Sequence, residues 1–283
     1  MSEMHAETDS SRSKRKSASR LLPTSRRMLT AHVLRVQQLS ASMVGITIGG
    51  PELEHFEYQG ADQFFRFFFR RPGQDVLRMP TWANDGWIAQ YMLMAAPTRP
   101  HCRIYTARSF RPESNELDIE FVAHGDSSPA SGWALRAQPG EPVGIFDEGI
   151  TYNPPAGAGW QLLVGDESAM PAILSVLEGS PADLRAHVFL EVPHAADIRE
   201  IAVPDGVVMH WLPRENDLAV PGRLALDALV EAELPADNPS YSYLAGESGL
   251  ATGARRFLVN ERGVPKSDVK FQGYWKHGKA SPG

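Results

Sequence analysis

Residues 103–106 read Arg-Ile-Tyr-Thr, with Arg108 two positions on and the strand-breaking Pro97 and Pro100 just before. On an extended strand side chains alternate, so Arg103 and Tyr105 share one face and Thr106 closes the strand. A planar guanidinium can grip a diphosphate with paired N–H bonds. A phenol can flank a flat heteroaromatic ring, and the hydroxyl or amide of Thr106 can reach that ring's edge. Together these groups suit a flavin dinucleotide. Four residues alone fit an ordinary strand with one exposed arginine equally well, so the rest of the chain has to decide.

A second group is His-Gly-Asp-Ser-Ser-Pro-Ala-Ser-Gly-Trp-Ala at 124–134. Small residues such as Ala130 and Ser131 opening a helix leave free amides, a cradle for a pyrophosphate to which His124 can add a donor. Three more segments stand where strands are expected to end. Gly165-Asp166-Glu167-Ser168 precedes Pro171, a residue suited to a first helical turn. Ala245-Gly246-Glu247 leads into a run with Arg255 and Arg256, and Pro213-Arg214 ends a third apolar stretch. Ligands of open α/β sheets sit at such strand ends, which makes this set a candidate nicotinamide site. Asp166 and Glu167 oppose an anion, whereas Arg214 could bind a 2′-phosphate and favour NADPH over NADH.

These residues need elements to hold them. From Met28 to about Phe146 the chain alternates in short runs, LTAHVLRVQQLS, MVGITIGG, DQFFRFFFRRPG, CRIYTARSF, ELDIEFVAHG and PVGIFD. Six strands with turns between them predict an antiparallel barrel. The one helical candidate in this half is SGWALRAQ. From Trp160 strands alternate with helices: WQLLVG, AHVFLEV, VVMHWL and YSYLAGE against DESAMPAILSVLEG, GRLALDALVEAEL and TGARRFLVNERG. That alternation predicts a parallel sheet of doubly wound type. The Pro- and Gly-rich segment 154–159 is the expected boundary between a barrel domain at 28–153 and an α/β domain at 154–283.

The 283 residues leave room for two domains, and 42% hydrophobic with 22% charged residues is ordinary for a globular protein. No apolar run is long enough for a membrane span. A single cysteine, Cys102, rules out an internal disulfide and a Cys-ligated iron–sulfur cluster within one chain. The cytoplasm is the expected compartment. Residues 1–29 carry a charge of +4 and leave −10 for the body. Residues 1–27 therefore read as a disordered, solvated basic tail, and the acidic body argues against nucleic acid as a partner.

RIYTAR (103–108), FVAHG with PASGWA (121–125 and 129–134), GDESAMPAI (165–173), LAGESGLATGARRFLVNERG (244–263) and FQGYWKHG (271–278) together resemble the siderophore-interacting protein family. These are FAD-dependent ferric-siderophore reductases of the ferredoxin reductase-like superfamily. The resemblance runs from about residue 30 to 279. It implies a flavin-binding barrel with Arg103, Tyr105, Thr106, His124, Ala130, Ser131 and Trp133 at FAD. It also implies an NAD(P)H half with Asp166, Glu167, Ser168, Arg214, Gly246 and Glu247, and one-electron reduction of siderophore-bound Fe(III). The flavin carries the chemistry, so no catalytic side chain and no protein-bound metal are expected. Anionic catecholate chelates would be drawn by cations, for which Arg66, Arg256 and Lys276 are the candidates. Ser128 stands where the family usually has Gly, Phe146-Asp147-Glu148-Gly149 replaces a Gly-Pro-rich turn, Lys276 replaces Arg, and Arg66 stands where many relatives have Lys. A monomer is expected. The rival readings are a general flavin or ferredoxin-type reductase with another acceptor, and a non-catalytic binder of flavin or siderophore.

Overall fold

Alternation of large apolar and polar residues produces the first sheet. The computed structural model describes residues 20–125 and 128–279. Its N-terminal half contains β1 (Met28–Ser40), β2 (Met43–Gly49), β3 (Phe64–Phe69), α1 (Trp87–Leu93), β4 (His101–Thr106), β5 (Ser109–Arg111), β6 (Glu116–Val122), α2 (Pro129–Arg136) and β7 (Pro142–Gly149). The strands form one sheet in the order β4-β3-β7-β1-β2-β6-β5, antiparallel throughout. Phe65, Phe67 and Phe69 point inward with Ile119, Phe121, Val143 and Ile145.

Seven strands appear where six were expected, because the run CRIYTARSF breaks at Ala107-Arg108. The Ala107 amide bonds Gln63 O at 2.8 Å, beside β3, and the Arg108 amide bonds Asp118 O at 3.0 Å, on β6. One continuous segment thus belongs to both edges of the sheet and joins them. The second departure is α1, which the sequence reading missed. Its Trp87 and Tyr91, one turn apart, cover Phe68 and Phe146 on the outer side of the barrel.

The C-terminal half contains β8 (Gln161–Gly165), α3 (Met170–Glu178), β9 (Arg185–Val192), β10 (Gly206–Pro213), α4 (Arg223–Glu231), β11 (Tyr241–Glu247), α5 (Ser248–Arg256) and β12 (Val269–Trp275). The order is β10-β9-β8-β11-β12, all parallel. β12, part of the FQGYWKHG segment, is a fifth strand beyond the four expected. One face of the sheet packs Leu163, Val188 and Leu190 against α3 and against Met43 and Val122 of the barrel. The other packs Leu162, Val164 and Phe189 against α4 and α5. β9 and β11 flank β8 on opposite sides, so the chain reverses direction across the sheet there and opens a crevice at the strand ends.

Polar contacts lock the halves together. Arg108 pairs with Glu178 of α3 through two bonds of 2.6 Å, and Arg199 pairs with Glu120 at 2.7 Å. Within the barrel half, buried Asp62 accepts the amides of Thr151 and Tyr152, both at 2.8 Å, and fixes the chain where it leaves for the second half.

The expected solvated tail is corrected over its last eight residues. Leu21 and Ile150 exchange backbone bonds of 2.9 Å. The Thr24 and Ser25 amides bond Glu57 at 2.8 and 3.1 Å, and the Arg26 guanidinium lies 4.3 Å from the Phe146 ring centre. Apolar cover and a shared carboxylate hold this strap where composition alone suggested solvent. Residues 1–19 lie outside the described residues.

Candidate active site

β4 pairs with β3 in the register Phe67↔Arg103 and Phe65↔Tyr105, so Arg103 and Tyr105 share the inner, phenylalanine-lined face as the alternation predicts. Tyr105 lies 4.1 Å from the Phe121 ring and edge-on to Phe67 at 5.8 Å; burial raises its phenol pKa above the ordinary value. Arg103 bonds Cys102 O through one terminal nitrogen at 2.7 Å, leaving an edge of its fork for a ligand. Thr106 is buried at the strand's end.

His101 shares that face, two residues before Arg103, with its ring 5.1 Å from Phe69. Its Nδ1 is buried without a partner among the described residues. Burial, with Arg71 and Arg103 nearby, pushes its pKa down to about 4, so the ring is neutral at pH 7. The sequence reading missed His101 and Arg71. Extending the alternation two residues back from Arg103 would have found the histidine.

The cradle closes on itself. Ser128 caps α2 by accepting the Ser131 amide at 3.3 Å, with Pro129 in the first turn. Ser131 Oγ accepts the His124 amide at 2.9 Å and donates to Gly125 O at 2.7 Å. Gly125 has φ of +75°, and among the described residues nothing lies within 4 Å of where a Cβ would stand, which leaves that side of the backbone open to a ligand. Ala130 is buried and His124 exposed.

Trp133 differs from expectation. Its ring packs 5.1, 5.2 and 5.6 Å from Phe67, Phe69 and Phe121, and its indole N–H bonds Glu141 at 2.9 Å. It supports the cradle from beneath and offers a ligand no donor. Phe67, paired with Arg103 and packed on Trp133, puts β4 and α2 against one aromatic floor. The donor set there fits a diphosphate: a partly free guanidinium, an unpartnered imidazole nitrogen and open glycine backbone.

At the strand ends of the second half, Asp166 is the hub. Its carboxylate accepts the Ser168 amide at 2.9 Å and hydroxyl at 2.5 Å, the Glu247 amide at 2.6 Å and the Trp275 indole N–H at 3.2 Å. Burial and the neighbouring Glu167 push its pKa up to about 7. Gly246 has φ of +118°, and a Cβ there would lie 2.5 Å from an Asp166 oxygen. Glu247 caps α5 through the Gly249 and Leu250 amides and accepts the His277 amide at 3.1 Å, tying the 276–277 segment to the same point. Asp166, Ser168, Gly246 and Glu247 are therefore brought together as expected.

Glu167 and Arg214 form a separate pair beside this hub. Arg214 grips Glu167 with bonds of 3.1 and 3.0 Å and also binds Glu191. Glu191, fully buried, in turn holds the Gly222 and Ala225 amides at the start of α4. The expected 2′-phosphate role of Arg214 is corrected: two buried carboxylates already occupy its fork, and the group anchors α4.

Of the three candidate substrate cations, Arg256 stands away from the strand ends. Arg66 projects on the face of β3 opposite Arg103, bonds Glu148 at 3.0 Å and sits 5.5 Å from the Trp87 ring. Lys276 is exposed just past β12, next to the His277 amide on Glu247. Arg256 lines a groove between α4 and α5 with Arg223, Asp227 and Glu231. That groove lies on the sheet face away from the barrel. Nine residues of helix carry Arg256 about 12 Å from the strand ends at the usual rise per residue, so its expected place beside the flavin is corrected.

Residues 32–151 match the family described as "Siderophore-interacting FAD-binding domain", and residues 158–278 match "Siderophore-interacting protein". Ferric vibriobactin reductase of Vibrio cholerae serotype O1 is 33% identical over 247 residues, covering 87% of this chain and 88% of the relative. The chain belongs to the siderophore-interacting protein family. Another relative, the NADPH-dependent ferric-chelate reductase of Escherichia coli K12, is 30% identical over 86% of this chain and 91% of its own. Among solved structures, a siderophore utilization protein from T. fusca superimposes with a TM-score of 0.77 at 29% identity, covering 93% and 98% of the two chains. A ferredoxin NADP⁺ reductase from Neisseria gonorrhoeae shares the fold at 13% identity, with a TM-score of 0.57 over 88% and 99%. The family's FAD-binding match corresponds to the barrel and begins after the 20–27 strap.

Proposed function

We propose that this chain is an NADPH-dependent, FAD-containing ferric-siderophore reductase that releases iron by reducing chelated Fe(III) to Fe(II). The observation that carries the reading is the aromatic floor of Phe67 and Phe69, against which Arg103, His101 and Trp133 of α2 all stand. Bound FAD would supply the redox chemistry, taking two electrons from the nicotinamide and passing them singly to two Fe(III) ions. The protein's residues hold and orient the partners. Arg103 and the cradle take the FAD diphosphate, Tyr105 and Thr106 flank the ring system, and the Asp166 hub shapes the nicotinamide pocket. Iron leaves because hard oxygen donors hold Fe(II) far more weakly than Fe(III).

NADPH is favoured over NADH by the likeness to the Escherichia coli relative, since Arg214 is committed elsewhere. Lys276, exposed beside the hub, and Arg66 are the cations proposed to attract an anionic chelate. The reaction is placed in the cytoplasm, with the protein acting as a monomer. Among the described residues no helix is long and apolar enough to cross a membrane.

Anaerobic reduction of the purified flavoprotein by NADPH and NADH, followed by mixing with ferric chelates and a colorimetric Fe(II) trap, tests the reading. The expected result is bleaching near ~450 nm by NADPH and stoichiometric Fe(II), two per NADPH. A flavin that stays oxidised makes the chain a binder. One that bleaches and reduces only other acceptors makes it a general reductase.

A further inference from the structure

Three guanidiniums meet one carboxylate on the outer side of the barrel. Glu148, with 3% of its side chain exposed, accepts Arg20 at 2.6 Å and Arg26 at 2.7 Å on one oxygen and Arg66 at 3.0 Å on the other. A buried carboxylate is tolerated only with such partners. The three arginines are not equivalent.

Arg26 is fully engaged: Nε donates to Asp147 O at 3.2 Å, its two terminal nitrogens bind Asp85 and Glu148, and its plane covers Phe146. It fastens the strap. Arg20 uses one terminal nitrogen on Glu148, and Arg66 uses only Nε. Their side chains remain 34% and 27% exposed, and each reaches a different oxygen of Glu148 through a single nitrogen, so the shared carboxylate takes up only part of either fork.

Local sequence is adapted to this arrangement. Gly149 has φ of +78°, and a Cβ there would stand 1.9 Å from Leu21 O, so the strap crosses at a position that only glycine permits. Arg20 precedes the residues that match the FAD-binding domain family. The site adjoins the strand of Arg103, since the Cys102 thiol lies within the field of both Arg66 and Arg103. Asp85, exposed and paired with Arg26, and Asp147, bonded to Gln63 and the Gly149 amide, are the other acids nearby.

We propose that Arg20 and Arg66 form a two-pronged anion site pivoted on Glu148, so that the 20–27 strap helps to hold an anionic, oxygen-rich ferric chelate. The proposal rests on the reductase reading for its ligand. It makes Arg20 a specificity residue contributed from outside the family's common domain.

Binding of redox-inert gallium(III) tris-catecholate and of a neutral gallium(III) trihydroxamate is measured by tryptophan fluorescence on the full-length flavoprotein, as wild type, Arg20→Gln and Arg20→Lys. Arg20→Gln should weaken the anionic chelate about fivefold or more and flatten its salt dependence, because a charge at contact distance is lost and screening has less to act on. The neutral chelate should change less than about twofold by the same reasoning. Arg20→Lys should restore most of the anionic binding.

Equal weakening of both chelates, no weakening of either, failure of the lysine to rescue, or a loss of FAD in its place overturns the proposal. So does Arg20-dependent binding of inorganic phosphate alone. Gallium cannot accept the electron, so the two readings fail separately. A protein that binds the anionic chelate through Arg20 yet yields no Fe(II) refutes the reductase reading only. One that reduces ferric catecholate with an unchanged KM in Arg20→Gln refutes this site only.

Discussion

Asp147 and Asp166 hold their protons more tightly in the folded chain than an exposed aspartate does, at about 6 and about 7. Burial is the leading cause in both. Their unfolded value is about 3.9, so the stability they contribute is complete below about pH 4 and is lost as pH rises through 6 and 7. Asp118, held low chiefly by its bonds to Arg111 and Thr47 against the effect of burial, acts in the opposite sense and loses its contribution as the medium becomes more acidic. The melting temperature should therefore fall between pH 5 and pH 8, and Asp166→Asn with Asp147→Asn should flatten that fall; a slope unchanged in the double variant refutes the assignment. Arg214→Ala offers a second test. Leaving Glu167 and Glu191 unpaired should cost about 3–5 kcal/mol, while the ratio of NADPH to NADH efficiency stays as in the wild type. A collapse of that ratio in a folded variant would return the arginine to the 2′-phosphate. Arg103 and Tyr105 were legible because their relation is local, two residues on one strand. Arg214 was misread because its partners lie 23 and 47 residues away, and no local pattern encodes them.

At the scale of elements, the periodic ones were readable: the long strands of the barrel and α3, α4 and α5. Those missed are short or lack a pattern. α1 has seven residues and is held by Phe68 and Phe146 more than by its own propensity, as short helices generally are. β12 lies at a sheet edge with only Val269 buried, so it shows no apolar run. Where β11 turns into α5, Gly246 is confined by its positive φ and by Asp166. Gly246→Ala should cost about 2 kcal/mol or more through strain and displacement of the carboxylate. It should slow flavin reduction by NADPH while leaving FAD content intact, read by stopped-flow and by the flavin released on denaturation. Loss of FAD with normal reduction kinetics in the remaining holoprotein would place this glycine on the wrong side of the molecule.

Across the whole molecule, ion pairs at Arg108–Glu178 and Glu120–Arg199 fix one half against the other. Arg108→Ala removes a clamp of two 2.6 Å bonds and should lower the melting temperature by several degrees, given ~2–4 °C per kcal/mol for chains of this size class; electron transfer should slow with it, measured as flavin reoxidation by ferric chelate. A variant that melts lower yet reoxidises at the wild-type rate would show that the halves need no such clamp. The two-domain plan was legible from alternation alone, whereas the strap at 20–27 was not, because Glu57, Glu148 and Ile150, which hold it, lie far along the chain. Joining the barrel's two edges through residues 101–111 also bears on how the protein matures. β5 pairs with β6 across the short turn at 112–115, and β4 pairs with β3, but residues 107–108 can hold both pairings at once only when the two ends of the sheet have come together, so this seam closes late in folding and is a weak line for transient opening. The strand that closes it is the one proposed to face the flavin. Cofactor loading should then act as a staple: in deuterium exchange the Ala107 and Arg108 amides should exchange readily in flavin-free protein and become among its slowest once FAD is restored.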